Sequence, residues 1–329
     1  MRSILRGDRF FWALAIAIPL SVLAGCIEYT VETTLDPEGT GMRREEMVVA
    51  DDEDADFTVS EAEFEELMRA SQKHRWRVFK ELEDDDTVHV FRRETRVGEP
   101  GDWDRLDGEI RILGTTGANA EAKIGHVRLG DVEFRNSISV EIAREPEARL
   151  YRYRETFRWT NLLDAVVEHK LEYFRSALDQ RYPRLDAGTR GEVVGLVRGG
   201  LWEAVEHDIF DMGDSERAEY ASVLTGRVAD QATRLVGRRY GDAQSAYFKD
   251  VLWEILVKGD DKDGAFLENS LPGVMVAGNT EIVLRMKMPG ETVDSNAHER
   301  EGATLIWKFS PWDGILAPVE VYAESRLNN

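Results

Sequence analysis

The chain reads as an α+β protein, an antiparallel sheet packed with a helix and interrupted by an inserted helical block. Three observations predict this. Apolar and polar residues alternate strictly from Ile27 to Leu35, the period of a half-buried strand. At Thr160 the apolar spacing changes to the three-and-four pattern of helices and holds to about Val257. Alternation then returns from Ile282. The expected organisation is a leader over 1–25, an α+β domain in two parts over 26–159 and 259–329, and a helical insertion or subdomain over 160–258.

The first strand puts Ile27, Tyr29, Val31, Thr33 and Leu35 on one face and Glu28, Thr30, Glu32 and Thr34 on the other. Asp36-Pro37-Glu38-Gly39-Thr40-Gly41 reads as a turn, with Pro fixing one φ and Gly supplying a positive one. Met42–Val49 returns as the hairpin partner. Asp51–Asp56 is an acidic loop, and Ser60 caps a helix over Glu61–Gln72 with Phe64, Leu67 and Met68 on its apolar face. Strands are expected over Arg77–Leu82, Thr87–Val97, Ala122–Leu129, Val132–Ile142 and Leu150–Trp159. In the last of these Tyr151, Tyr153, Phe157 and Trp159 share a side. That aromatic row reads as sheet core, and alternatively as the wall of an apolar ligand cavity.

In the helical block, Leu162, Leu163, Val166, Val167, Lys170, Leu171, Phe174 and Leu178 describe one helix, capped by Thr160 or Asn161 and ended near Tyr182-Pro183. A second spans Thr189–Phe210, where Gly191, Gly195, Gly199 and Gly200 allow either close helix approach or a break. Two more follow over Ser215–Tyr240 and Ala243–Val257. After an acidic loop over Gly259–Gly264, strands resume at Ile282–Met288, a long turn covers Pro289–Ala297, and Leu305–Phe309 and Pro318–Ser325 complete the sheet.

Cys26 is the only cysteine, and it closes the tetrad Leu23-Ala24-Gly25-Cys26. Upstream, Arg2, Arg6 and Arg9 form a positive segment and Phe10–Leu20 an apolar one too short for an ordinary spanning helix. The layout resembles the signal peptide and lipobox of bacterial lipoproteins. The resemblance implies a diacylglycerol in thioether linkage to Cys26, with acylation of the palmitate type, and removal of residues 1–25. It further implies a body anchored in the cell envelope, at the periplasmic face of the outer membrane in a two-membrane host, because Ile27 rather than Asp follows the cysteine.

Three of the 42 basic and one of the 63 acidic residues lie in 1–25, so the remainder carries a formal charge of −23. So acidic a body repels phosphate backbones and anionic headgroups, which argues against nucleic acid as a partner and leaves membrane attachment to acyl chains. A lone cysteine forms no internal disulfide. The hydrophobic fraction of 42% is that of a globular protein.

A second resemblance lies in the two terminal hairpins. Leu35-Asp36-Pro37-Glu38-Gly39-Thr40-Gly41 near the start is similar to the first hairpin of LppM-type lipoproteins. So are Met288-Pro289-Gly290, Val293, Ser295-Asn296 and Ala303-Thr304-Leu305-Ile306-Trp307 to that family's last hairpin. The resemblance implies a domain in which a sheet packs against a helix, and contact with envelope lipids in place of catalysis. The helical block lies outside it.

Chemistry-bearing spacings are missing from the sequence. His169 is not followed by a second histidine one turn on, and His207-Asp208 falls at a helix end, where histidine interacts with the helix dipole. Aligning Asp260-Asp261-Lys262-Asp263-Gly264 with a calcium loop puts Gly259 and Ser270 where carboxylates belong. Asp102, Asp104 and Asp107 flank Trp103 and Leu106 as in a short capped helix. No nucleophile elbow or phosphate loop occurs. The expected function is therefore that of a non-enzymatic, membrane-anchored envelope lipoprotein without cofactor or metal. Its expected ligand is apolar, a neutral or zwitterionic lipid held at Tyr151, Tyr153, Phe157 and Trp159. The alternative is a structural partner that docks another envelope protein through the helical block.

Overall fold

The computed structural model describes residues 27–50, 66–67, 76–83, 86–207, 209, 212–241, 248 and 262–328. Cys26, the leader, the acidic run 51–56 and most of the helices expected over 61–72 and 243–257 lie outside them. The described chain divides into two units. One takes 27–121, Gly130–Leu162 and 271–328. The other takes Ala122–Leu129 and Leu163–Ser270.

The first unit is a sandwich of two sheets. The chain's fold class is α+β, as expected, but the strands sort into two sheets that cover each other where one sheet against a helix was anticipated. The seven-stranded sheet is built from β1 (Ile27–Leu35), β2 (Gly41–Ala50), β3 (Arg77–Glu83), β4 (Asp86–Val97), β10 (Thr280–Lys287), β12 (Glu299–Glu301) and β13 (Thr304–Phe309), in the order β12-β13-β10-β1-β2-β4-β3. The five-stranded sheet uses β5 (Arg111–Leu113), β8 (Glu133–Arg144), β9 (Ala148–Thr160), β11 (Glu291–Ser295) and β14 (Val319–Asn328), in the order β11-β14-β9-β8-β5. Strands from the C-terminal part enter both. β10 lies parallel to β1 with Ile27 opposite Thr280, and β14 lies antiparallel to β9 with Val321 opposite Glu155.

The β1–β2 hairpin shows why the register is fixed. Alternate residues of β1 are buried, so a one-residue slip would turn Tyr29 and Val31 to solvent. The turn is closed by Asp36 N–H to Thr40 O and Gly39 N–H to Asp36 O, both 2.8 Å. Gly39 sits at φ +83°, and a Cβ there would come within 2.3 Å of Ile142 Cδ1. Conformation and space both require glycine. Phe157 of β9 then meets Phe309 of β13 at 4.8 Å between centroids and Phe134 of β8 at 6.1 Å, which welds the inner faces.

The second unit is helical. α1 (Leu162–Arg181), α2 (Ala187–Glu206) and α3 (Asp214–Tyr240) share a core that includes Leu171, Phe174, Val197, Leu201, Leu224 and Phe248. α2 runs unbroken through its glycines. Gly191, Gly195 and Gly199 are exposed, and a Cβ on any of them would meet nothing within 4 Å, while Gly200 is buried. Asp186 caps α2 by accepting from Thr189 N–H at 2.9 Å. α4 (Lys262–Ser270) belongs to this unit, and α5 (Pro272–Gly278) to the sandwich.

Beyond β5 and α5, which lie where no element was expected, three stretches differ from the sequence reading. Ala122–Leu129 is a miniature hairpin of β6 (Lys123–Ile124) and β7 (Val127–Arg128), not one strand, because Gly125 turns the chain at φ +55°. The long turn over 289–297 contains β11, which pairs with β14 once Gly290, at φ +77°, has reversed direction. Lys262–Gly264, expected in an acidic loop, already forms the start of α4.

Candidate functional site

A dense cluster of charged side chains lies between the two sheets. On the inward phase of β2 stand Arg43 and Glu45, on β4 Arg93, and on β9 Glu155 within the aromatic row. Arg43 donates from Nη2 to Glu155 Oε1 at 2.8 Å, from Nη1 to Tyr153 Oη and Thr33 Oγ1 at 3.2 Å each, and from Nε to Glu45 Oε1 at 3.1 Å. Glu45 also accepts from Tyr29 Oη at 2.8 Å and from Arg93. Glu155 accepts further from Tyr153 Oη at 2.6 Å and Asn136 Nδ2 at 2.5 Å. Every one of Tyr29, Arg43, Glu45, Asn136, Tyr153 and Glu155 is 2% exposed or less.

Electrostatics follows from that enclosure. Burial alone would raise the Glu45 carboxyl, but the Arg93 and Arg43 guanidiniums hold it below the ordinary range. Glu109, at the margin beside Arg93, is pushed up by burial and then by the Glu45 charge. The guanidiniums match Glu45 and Glu155 in number, so Glu109 is the surplus carboxylate. Its Oε1 accepts from Thr95 Oγ1 at 2.7 Å, and its Oε2 is buried without a hydrogen-bond partner among the described residues. Burial, with Glu45 and Glu155 respectively, raises the Tyr29 and Tyr153 phenols well above their usual value. The cluster pairs acids with bases, yet its exposure leaves no route for a substrate. Its chemistry is that of a polar clamp between sheets.

Tyr151, Tyr153 and Phe157 are fully buried and Trp159 is 7% exposed, and the structure brings all four together on the inner face of β9. Each is occupied. Tyr151 Oη donates to Pro37 O at 2.7 Å, Trp159 Nε1 to Pro311 O at 3.0 Å, and Tyr153 meets the Trp103 ring edge-on at 6.4 Å.

An open groove of about 970 Å³ lies on the outer face of the seven-stranded sheet. Four arginines (Arg44, Arg77, Arg92 and Arg96) and three glutamates (Glu32, Glu46 and Glu94) face outward among its 11 lining residues, and the buried Arg93 and Glu45 of the clamp form part of its floor. None of the aromatic row lines it. Arg92 bridges Glu46 and Glu81, and Arg44 pairs with Glu94 at 3.1 Å. Phe79 is 41% exposed with the Arg92 guanidinium 5.5 Å above its ring. Sequence reasoning found neither groove nor clamp. The doubled run Arg43-Arg44-Glu45-Glu46 gives both faces of β2 one Arg and one Glu, so hydropathy carries no phase there.

The histidines and acidic spacings resolve as follows. His169 stacks on Phe266 with centroids 4.0 Å apart, and burial, then Lys170, brings it down to about 4; burial brings Lys170 down to about 7. His207 ends α2 with Nδ1 3.0 Å from Glu203 O, while Asp208 lies outside the described residues. Asp102 pairs with Arg105, and Asp107 Oδ1 accepts from Ile138 N–H at 2.6 Å, around a 3₁₀ turn over Pro100–Leu106. Among the described residues no group of three or more His, Cys, Asp or Glu is placed to hold a metal, and no helix is long and apolar enough to cross a membrane.

No family model matches the chain, and no curated protein matches it. Among solved structures it is similar to the NMR structure of the folded domain of LppM from Mycobacterium tuberculosis. The identity is 8% and the TM-score 0.28, with 94% of this chain and 95% of that chain covered. A likeness at that level carries no argument about fold or activity.

Proposed function

We propose that this chain is a lipid-anchored protein of the cell envelope that acts by binding, not by catalysis. The observation that carries the reading is the junction of Leu23-Ala24-Gly25-Cys26 with β1. The cysteine of a lipobox-like tetrad stands directly before a central strand of the sandwich. The groove supports a ligand with a polar, charge-balanced head. Its near-equal arginines and glutamates suit a zwitterionic or neutral lipid headgroup, and Phe79 offers one apolar contact. Tyr151, Tyr153, Phe157 and Trp159 serve as the core behind it.

The anchor is tested by mass spectrometry of the membrane-bound protein and by Cys26→Ser. The wild-type chain should start at a lipid-modified Cys26, and Cys26→Ser should remain an unprocessed precursor. An unmodified Cys26 on the mature protein would sink the reading. Docking of an envelope protein on the helical unit is the second reading, favoured by the exposed Gly191, Gly195 and Gly199 on one face of α2.

A further inference from the structure

We propose that the end of the seven-stranded sheet where β1 and β10 begin is the surface that faces the bilayer. This orientation rests on the lipid anchor proposed above. No residue separates Cys26 from Ile27, and consecutive Cα atoms are held about 3.8 Å apart.

Ile27 is not a tether. Its side chain is buried, its N–H donates to Asn279 O at 3.2 Å, and it is paired with Thr280 on one side and Val49 on the other. An acylated Cys26 therefore has no slack, and this edge of the sandwich must lie where the acyl chains enter the membrane. The register gathers Asn279, Thr280, Val49 and Phe309 at the same end.

A depression of about 220 Å³ opens there, and Asn279, Thr280, Glu281, Lys308, Phe309 and Ser310 line it. Amide, hydroxyl and one charge of each sign, Glu281 and Lys308, fit glycerol esters and headgroups better than acyl chains. With a formal charge of −23 on the body, attraction to anionic lipid does not hold this surface down; the covalent anchor does. The opposite end of β1, at Leu35, stands about 26 Å higher at 3.3 Å per residue. The groove begins near the membrane at the level of Phe79 and climbs along β4 to Arg96.

β10 supplies a ruler. Glu281 and Lys287 are exposed on one face of that strand, six residues or about 20 Å apart. The test uses the full lipid-bearing chain in phosphatidylcholine vesicles with a single introduced thiol, Glu281→Cys or Lys287→Cys. The thioether blocks Cys26, so a bimane label reports only the new position. With a doxyl quencher near the top of the acyl chain, the label at 281 should be quenched roughly threefold or more over that at 287. Equal quenching, or stronger quenching at 287, on protein whose Cys26 carries lipid by mass overturns the orientation alone. A Cys26 without lipid overturns the anchor and the orientation with it.

Discussion

At the scale of single residues, the clamp between the sheets invites the question of which member carries the structure. Glu155 accepts four hydrogen bonds from Arg43, Tyr153 and Asn136 with no exposure to water. Glu155→Gln would leave the Arg43 charge buried and underpaired, and should cost about 3–5 kcal/mol in denaturant unfolding. Glu109 behaves oppositely. Its folded-state pKa is raised, so its contribution to stability is complete below the unfolded carboxyl value and is lost as pH climbs through the folded one. Glu109→Gln should therefore be at least as stable as the parent at pH 8, and should flatten the fall in stability above about pH 4.5. Unfolding curves from pH 4 to 8 check both. A Glu109→Gln protein that keeps the parent's slope would show that another group titrates.

At the scale of elements, glycine separates two kinds of position. Gly125 turns the β6–β7 hairpin at φ +55°, donates its N–H to Glu172 Oε1 at 2.8 Å, and leaves a Cβ only 2.0 Å from Glu168 Oε2. Glu168 is buried and already faces Arg198 at 2.5 Å, so it cannot retreat freely. Gly125→Ala should cost about 2 kcal/mol or more, from left-handed strain and the clash together. Gly191→Ala meets nothing within 4 Å and lies inside a regular helix, so it should stabilise by about 0.5–1 kcal/mol. Opposite signs in thermal unfolding are the expected result. These elements also show where sequence was legible. β1, β8, β9 and α1 through α3 were readable to within a few residues because one face of each is apolar at a single period. β6, β7 and β11 were not, since each is five residues or fewer and owes its existence to a glycine turn and to partners far along the chain. The two-sheet arrangement was illegible for a related reason: alternation identifies an inward face but not what covers it. The clamp was hidden because Arg43, Glu45 and Glu155 occupy inward positions that hydropathy assigns to solvent.

At the scale of the whole molecule, charge of two kinds competes. Sixty-three acidic against 42 basic residues give −21, and self-repulsion of that size favours expansion of the chain. Against it stand surface pairs such as Arg44–Glu94 and Arg152–Glu324, each worth about 0–1 kcal/mol and each weakened by salt. The buried clamp is indifferent to salt because ions do not reach it. Raising ionic strength from 0.01 M to 1 M shortens the Debye length from about 30 Å to about 3 Å. That spacing decides the outcome. Repulsion summed over tens of ångströms is removed almost entirely, whereas pairs at contact distance keep part of their attraction. The melting temperature should therefore rise by a few degrees between these salt concentrations. Sodium chloride suits the test because it screens without the strong exclusion effects of sulfate. A melting temperature that falls would mean that the surface pairs outweigh the net charge. The arginine-glutamate lattice of the groove would then be a main support of the sheet on which it lies.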